Sequence, residues 1–255
     1  MPGKVIRHNR LASAATTNPH RIERLRNIHS DQRCFLIGNG PSLNLADLDK
    51  LGHDITFACN NIHLAFADTD WRPTYYTVSD PLAAQRYATI ISQLALTKIF
   101  SDSVKPYFEH AEDIIWLKQI QYERDDDFSD FAFCFDLTKG VYHGATTLYI
   151  QLQIALFMGI REVYLLGVDF DYKQPSTAGK RSGLGVIIEY EGEANHFHPD
   201  YREPHERWWL ANKEFQYKTY SFAKTVYEAY GGRILNASRK TLLDVFPLVE
   251  LDSIV

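Results

Sequence analysis

Short apolar runs alternate with longer stretches of helical periodicity along most of the chain. Seven of these runs, bounded by glycine, proline or small polar residues, predict β-strands: Cys34–Ile37, Ile55–Cys59, Tyr75–Val78, Lys98–Ser101, Ile114–Leu117, Val163–Leu166 and Arg233–Leu235. Helical spacing of apolar positions predicts helices over Asn44–Lys50, Pro81–Leu96, Ala145–Met158 and Glu206–Tyr230. This alternation is typical of βαβ units. We therefore expect an α/β, Rossmann-like fold, with a mostly parallel sheet and helices on both faces.

Two segments interrupt this pattern. Gln121–Lys139 is acidic and aromatic, and we interpret it as a surface excursion or a contact in a homo-oligomer. Its Asp125–Asp127 run lies among polar residues and predicts solvated surface. Lys173–Arg207 is rich in Gly, Pro, His and charge, which is typical of a lid or a binding loop. The prediction is a single domain over residues 31–255, with a flexible lid at about 173–207.

Charge is distributed unevenly between the start of the chain and the rest. Residues 1–27 hold six Lys or Arg and one acid, whereas the remainder holds 21 basic and 31 acidic residues, a net charge of −10. The basic start predicts a poorly ordered arm over residues 1–30, and contact with anionic lipid through residues 4–26 is one candidate role for it. Because no basic stripe recurs later, nucleic acid is not an expected partner.

Cysteine usage and hydropathy favour the cytoplasm. The three cysteines fall in apolar runs without a C-x-x-C spacing, which is typical of buried free thiols in a reducing compartment. No apolar segment reaches the roughly 20 residues of a transmembrane helix, and the N-terminus has no apolar signal core. We expect a cytoplasmic protein, with the inner face of the cell membrane as a candidate peripheral location.

The first predicted strand ends in a glycine turn that suits an anionic ligand. In Gly38-Asn39-Gly40-Pro41-Ser42, the glycines let backbone N–H groups approach a ligand closely, and the next helix presents its positive end. Asn39 and Ser42 add side-chain hydrogen bonds, although Ser42 is equally explained as a helix N-cap. A third glycine and a Gly-Lys-Ser/Thr ending are both missing. The loop therefore favours a nucleoside monophosphate ester over a dinucleotide or a triphosphate.

The next two strands also end in polar residues. Asn60 and Asn61 follow the second strand, and Ser79 and Asp80 follow the third. Side chains of these types read a base or a ribose, and each pair is alternatively a turn or a helix cap. Because the carboxyl ends of parallel strands meet at one edge of a sheet, we expect them to share one site.

Two further segments contribute to this expected site. His143, Gly144 and Thr146 open a predicted helix with small residues that allow close approach by a phosphate or a sugar. Asp169 and Phe170 follow a later strand. A carboxylate there would accept from a ribose hydroxyl or an amino group, bind a metal, or be a solvated turn residue.

The motifs of metal and hydrolase chemistry are missing from the sequence. His196-x-His198 has no Cys or Glu partner at a standard zinc spacing. No D-x-D flanked by apolar residues occurs, and no G-x-S-x-G elbow. We therefore predict no metal site and no required cofactor.

The order of four motifs resembles one superfamily of transferases. GNGPSL, CNN, VSDP and GVDFDY follow successive predicted strands, and the match covers roughly residues 33–252. This superfamily holds the bacterial sialyltransferases of glycosyltransferase family 42, the related flagellin glycosyltransferases and the archaeal 6-hydroxymethylpterin pyrophosphokinases. The segments NHFHPDY and ILNASRKTLLDVFPLVELD resemble bacterial members linked to cell-surface polysaccharide and lipopolysaccharide biosynthesis.

The resemblance implies a GT-A-like, metal-independent, inverting transferase. Its donor would be a CMP-activated nonulosonic sugar such as sialic acid, and its acceptor a glycan or glycolipid. By position, the donor-binding residues would be Gly38, Asn39, Gly40, Ser42, Asn60, Asn61, Ser79, Asp80, His143, Gly144, Thr146, Asp169 and Phe170.

The resemblance also implies catalytic residues in the lid. A histidine would act as general base on the acceptor hydroxyl, as suits a side chain that titrates near neutral pH. The candidates are His196, which we favour, His198 and His205. Two tyrosines would help the phosphate to leave, with Tyr172 and Tyr201 as candidates and Tyr190 nearby.

This chain departs from the family pattern at several positions. Asp171 precedes Tyr172, Ser79-Asp80-Pro81 replaces an Asn-Pro, and Lys139 is the nearest basic residue to a family arginine. Two alternatives stay open. One is a Mg²⁺-dependent pyrophosphokinase using Asp80 and Asp169 as a carboxylate pair, and the other is a nucleotide-binding module without catalysis.

Overall fold

The computed structural model describes residues 17–108, 112–122, 132–173, 179–182, 185–189 and 195–255. Its strands are β1 (Arg33–Ile37), β2 (Ile55–Cys59), β3 (Tyr75–Val78), β4 (Thr97–Ser101), β5 (Ile114–Leu117), β6 (Gln119–Ile120), β7 (Val141–Tyr142), β8 (Glu162–Leu166), β9 (Lys180–Ser182), β10 (Gly185–Glu189), β11 (Arg207–Trp209) and β12 (Arg233–Asn236). Its α-helices are α1 (Asn18–Glu23), α2 (Leu45–Asp49), α3 (Pro81–Gln93), α4 (Thr147–Phe157) and α5 (Lys213–Ala229).

The main sheet is parallel throughout and has seven strands in the order β12-β8-β1-β2-β3-β4-β5. These are the seven strands that the apolar runs predict, and the α/β, Rossmann-like class is confirmed. The order reverses at β1, because β2 lies on one side of it and β8 on the other. Ligands of open α/β sheets bind at such a switch point, beyond the carboxyl ends of the strands.

Two apolar clusters cover the two faces of the sheet. On one face lies α4, whose eleven residues are all buried, and α5 packs over it. A helix that is apolar on all sides belongs in the interior. The other face is covered by α2, α3 and the 3₁₀ segment Asn60–Ala67. The helices thus close both faces and leave the carboxyl edge of the sheet for a ligand.

Residues 17–30 pack against the domain, in contrast to the poorly ordered arm expected over residues 1–30. The side chains of Ile22 and Leu25 are buried in the core. Arg21 donates to the carbonyls of Glu112 and Asp113, at 2.6 and 2.7 Å. The basic residues of this segment therefore hold it against the domain. Residues 1–16 of the predicted arm lie outside the described residues.

The predicted helix over Glu206–Tyr230 begins later than expected, at Lys213. Arg207–Trp209 is strand β11 instead, and it pairs antiparallel with β10 in a three-stranded sheet that also contains β9. The reason is cross-strand pairing, since Trp208 lies opposite Ile188 and Trp209 opposite Ile187. The range predicted as a lid therefore contains a small sheet.

Several predictions fall outside the described residues. These are the solvated Asp125–Asp127 run, the nearby Tyr190, and much of the acidic excursion at 121–139. Within the described residues, no helix combines the length and the apolar character needed to span a membrane.

Candidate functional site

A cavity of about 860 Å³ lies at the carboxyl ends of β8, β1, β2 and β3, and parts of the segment 195–212 also line it. At about 4.8 Å per strand, these four ends span roughly 15 Å. The wall includes fourteen of the predicted site residues: Gly38, Asn39, Gly40, Asn60, Asn61, Ser79, Asp80, His143, Thr146, Asp169, Phe170, Tyr172, His196 and Tyr201. The wall does not include Ser42, Gly144, His198 or His205.

The glycine turn after β1 packs directly against the segment after β8. The Gly40 amide donates to the Gly167 carbonyl at 2.9 Å. A Cβ atom at Gly40 would lie 2.5 Å from Asp169 Oδ1, and one at Gly38 would lie 2.5 Å from the Gly167 oxygen. Both positions therefore require glycine, because the two loops meet there backbone to backbone.

Ser42 and Asp169 bond to each other. The Ser42 amide donates to Asp169 Oδ2 at 2.8 Å, and its hydroxyl donates to Oδ1. Burial raises the pKa of Asp169, and the hydrogen bonds from Ser42 offset part of that rise. The N-cap of α2 is Asn44, which accepts from Ala46 N at 3.1 Å. Ser42 is thus not a helix cap, and Asp169 is not a solvated turn residue.

The amide groups of Asn39 and Asn61 have fixed orientations. Asn39 Nδ2 donates to the Cys59 carbonyl at 3.1 Å and to the Tyr201 hydroxyl at 3.0 Å. Asn61 Nδ2 donates to the Tyr201 carbonyl at 3.0 Å. Because a carbonyl only accepts, each amide must turn its NH₂ group toward it. The Oδ1 atoms of Asn39, Asn61 and neighbouring Asn60 are buried and have no hydrogen-bond partner among the described residues.

The opening of α4 has an irregular backbone. Gly144 and Ala145 have φ angles of 57° and 58°, and Thr146 is the N-cap. A Cβ at Gly144 would lie 2.3 Å from the Tyr149 ring, so Gly144 shapes this loop without lining the cavity. Burial lowers the pKa of His143, which does line the cavity, to about 4. This histidine is therefore neutral at physiological pH.

Backbone strain concentrates around the cavity. Among the described residues, six that are not glycine have positive φ, and three of these six line the cavity: Asn60, Ala145 and Phe170. Such conformations cost on the order of 1 kcal/mol or more and tend to occur at functional sites. The strain supports a ligand-binding role for this edge of the sheet.

Ser79 and Asp80, which follow β3, have different hydrogen-bond partners. The Ser79 hydroxyl lies 2.7 Å from the Thr147 hydroxyl in a buried pair. Asp80 caps α3 by accepting from Leu82 N at 2.9 Å, and burial raises its pKa. Strands β3 and β8 are separated by β2 and β1, and Asp169 is bonded to Ser42. Asp80 and Asp169 therefore do not form the shared carboxylate pair that the pyrophosphokinase alternative needs.

The segment 195–201 is joined to the loops after β1 and β2. The Phe197 amide donates to the Asn39 carbonyl at 2.9 Å. The rings of His196 and Tyr201 stack, with centroids 3.7 Å apart and planes 4° apart. Tyr201 is buried, which raises its pKa, and its hydroxyl accepts from Asn39. His196 and Tyr201 are therefore held at the ends of β1 and β2.

The other predicted catalytic residues lie elsewhere or are already engaged. His198 caps the 3₁₀ turn Pro199–Tyr201, because its Nδ1 accepts from Asp200 N at 3.1 Å. The His205 side chain is 86% exposed and pairs with Glu189 at 2.9 Å. Tyr172 lines the cavity, but its hydroxyl donates to Gln216 Oε1 at 3.0 Å, and burial raises its pKa to about 12.

Several residues of the cavity wall carry no signal in the sequence pattern. Arg202, Trp208 and Trp209 line it, as does Gln216. The two tryptophans fall in the region assigned to a helix, so their strand pairing could not be read from periodicity. Lys139, the nearest basic residue to α4 in the sequence, is exposed and does not line the cavity. Among the described residues, no cluster of three His, Cys, Asp or Glu could hold a metal ion.

No protein-family model and no curated protein matches this chain. Among solved structures, the sialyltransferase CstII from Campylobacter jejuni, in complex with the substrate analogue CMP-3FNeuAc, is similar over 85% of this chain and 86% of that chain, with 14% identity and a TM-score of 0.44. The sialyltransferase CST-II with a trisaccharide acceptor and CMP is similar over 85% of both chains, with 16% identity and a TM-score of 0.42.

Proposed function

We propose that this chain is an inverting glycosyltransferase that moves a sialic acid-like (nonulosonic) sugar from a CMP-activated donor to a cell-surface glycan or glycolipid. The observation that carries the proposal is the convergence of polar side chains from the loops after β1, β2 and β3 on one cavity, with Asn39, Asn60 and Ser79 among the lining residues. Amide and hydroxyl groups of these types accept hydrogen bonds from the N–H and O–H donors of a ligand. A nucleoside and a sugar supply both kinds of donor.

The switch point suits the nucleotide of such a donor. Gly38 and Gly40 let the loops after β1 and β8 pack against each other at the switch point, where ligands of such sheets bind. Phe170 gives this end an apolar ring, and Lys213 Nζ lies 5.0 Å from the centre of that ring. We assign the nucleoside monophosphate to this end and the sugar to the end near β3.

Of the three lid histidines, His196 suits the role of general base. It lines the cavity, whereas the cavity wall does not include His198 or His205. In the proposed step, the acceptor hydroxyl oxygen attacks the anomeric carbon on the face opposite the phosphate. The bond from that carbon to the phosphate oxygen breaks, CMP leaves with the electron pair, and His196 takes the hydroxyl proton.

Tyr201 suits the role of the group that helps CMP to leave. Its hydroxyl accepts from Asn39, so its own proton can be donated to a phosphate oxygen. The proton of Tyr172 is directed to Gln216 instead. With a single phosphate to neutralise, tyrosine and backbone donors can replace a divalent cation, so we propose that no metal is required. The remaining parts of the proposal are a role in lipopolysaccharide biosynthesis and a location in the cytoplasm, at the inner face of the membrane.

The test compares two histidine variants, with CMP-N-acetylneuraminic acid as the probe. His196→Phe keeps a flat ring against Tyr201 but removes the base. We expect it to lower transfer to a surface-glycan extract by roughly 10²- to 10⁴-fold while CMP affinity is kept. The control, His205→Ala, changes an exposed side chain and should leave transfer intact. Unchanged transfer by His196→Phe would refute the assignment, and loss of activity in EDTA would refute metal independence.

A further inference from the structure

Two glutamines of the cavity wall have side-chain amides that are open to a ligand. Gln119 is the first residue of β6, and Gln121 directly follows that strand. Both line the cavity, as is expected of residues two apart in an extended segment. They come after β5, which lies at the opposite edge of the main sheet from β12. Neither has a role in the transfer step described above.

The Gln119 side chain has a fixed orientation. Its Oε1 accepts from the hydroxyl of the buried Ser101 at 3.0 Å. The backbone is held as well, because Gln119 N donates to Asp102 Oδ1 at 2.8 Å and the residue pairs with Val141 in β7. Since the oxygen is occupied, the NH₂ group is the free end of the amide. Its Nε2 has no hydrogen-bond partner among the described residues, and it is not buried.

Gln121 adds a second free amide. The residue is exposed, and within the described part of the chain its side chain forms no hydrogen bond. Its amide can therefore donate through Nε2 and accept through Oε1. A hydroxyl group also donates and accepts, so the two amides together are complementary to the hydroxyl groups of a sugar.

This part of the cavity wall carries no charge. Of the described residues that line the cavity between positions 103 and 147, none is Asp, Glu, Lys or Arg. His143 is neutral at physiological pH, because burial lowers its pKa to about 4. Lys118 and Asp102 are close in sequence but do not line the cavity. A carboxylate or a phosphate would find no cation here to offset its loss of water, so this wall favours an uncharged polar ligand.

The two glutamines lie far from the position assigned to the nucleotide. Gln119 bonds to Ser101 at the end of β4, three strands or roughly 14 Å from the glycine turn after β1. The donor sugar is bonded directly to the phosphate and is assigned to the end near β3, so a group bound beside β4 belongs to the acceptor. We propose that Gln119 and Gln121 bind hydroxyl groups of an uncharged sugar unit of the acceptor glycan. This subsite rests on the proposed function for the presence of an acceptor.

Titration with neutral methyl glycosides of galactose, glucose and mannose, followed by saturation-transfer NMR with CMP present, tests the subsite without turnover. We expect at least one of them to bind more tightly than galacturonic acid, the charged comparison. Gln119→Leu and Gln121→Leu should each weaken that binding by roughly 2- to 10-fold, the value of one hydrogen bond, and the double variant should weaken it further. Gln119→Glu keeps the length of the side chain without its donors and should act like Gln119→Leu. The control, Gln85→Leu, changes an exposed glutamine of α3 outside the cavity wall and should leave binding unchanged.

The outcomes separate the subsite from the proposed function. The subsite would be overturned if the wild type bound none of the three glycosides, bound galacturonic acid at least as tightly, or bound as the double variant does. If Gln119→Leu weakened binding of CMP-N-acetylneuraminic acid but not of CMP, the glutamines would hold the donor sugar, and the assignment to the acceptor would be wrong. Failure of the wild type to bind CMP would refute the proposed function instead, while the glycoside titrations would still report on the two glutamines.

Discussion

Replacing His143 by glutamine is expected to make the protein less sensitive to acid. The imidazole lies on the cavity wall at the start of α4, and burial lowers its pKa from 6.5 to about 4. In the unfolded chain the same group takes up its proton near pH 6.5. Between these two values the unfolded state binds more protons than the folded state, so stability falls as the pH falls.

The size of this effect follows from the two pKa values. If His143 were fully protonated in the unfolded chain and neutral in the folded chain, the free energy of unfolding would fall by about 3 kcal/mol. At about pH 5 the expected fall is about 2 kcal/mol. Water in the cavity screens the imidazole, so the loss of unfolding free energy at about pH 5 is at most about 2 kcal/mol. For a chain of this length it corresponds to a fall in Tm of roughly 4–8 °C between about pH 8 and pH 5.

The assay is thermal unfolding of the wild type, His143→Gln and a control, His53→Gln, at about pH 8 and pH 5. His53 is an exposed residue outside the cavity wall, so its variant should retain the acid sensitivity of the wild type. His143→Gln should lose about 2 kcal/mol less stability than the wild type on acidification. Equal losses for the wild type and His143→Gln would refute the reasoning, because they would mean that His143 titrates alike in the folded and unfolded chains.

Three more substitutions test the loops that build the cavity. Gly40→Ala would place a Cβ 2.5 Å from Asp169 Oδ1; we expect a loss of about 1–3 kcal/mol in urea unfolding and weaker CMP binding in calorimetry, and unchanged binding would contradict the close packing. Ser42→Ala removes a hydroxyl donor to Asp169 and should raise the pKa of that carboxyl further in an NMR titration. A carboxyl whose pKa is higher in the folded than in the unfolded chain makes the protein less stable as the pH rises through that pKa, so the variant should lose most stability above the pKa of Asp169. A loss of stability that does not depend on pH would contradict this role of Ser42. Tyr201→Phe keeps the ring but not the acceptor for Asn39; it should cost about 1 kcal/mol and lower kcat for transfer by at least about tenfold, so a wild-type kcat would exclude the leaving-group role.

The sheet could be predicted closely because its strands are buried on both faces. The run Ile55–Cys59, for example, is strand β2 with the same bounds. A buried parallel strand reads as a continuous apolar stretch, and this signal does not depend on distant partners. The start of α5 could not be predicted in this way. Trp208 and Trp209 pair with Ile188 and Ile187, and this long-range pairing overrides the local helical pattern.

From the sequence, only those site residues could be predicted that lie close to the ends of strands. Asn39, Asn60 and Asn61 were found because each lies within two residues of the end of a strand. The bond between Ser42 and Asp169 joins residues 127 positions apart, and no local pattern contains it. Arg202 was missed because it lies in the predicted lid, where spacing carries no signal, and only the fold brings it to the cavity.

Selective binding of CMP is the most direct test of the account. Thermal unfolding would be followed with CMP, CDP, UDP, GDP and ATP, each with and without Mg²⁺. The account predicts that CMP stabilises the chain without Mg²⁺, by about 3 kcal/mol at a hundredfold excess over Kd, and that the other nucleotides give smaller shifts. Stabilisation by ATP with Mg²⁺ alone, or by no nucleotide, would contradict it.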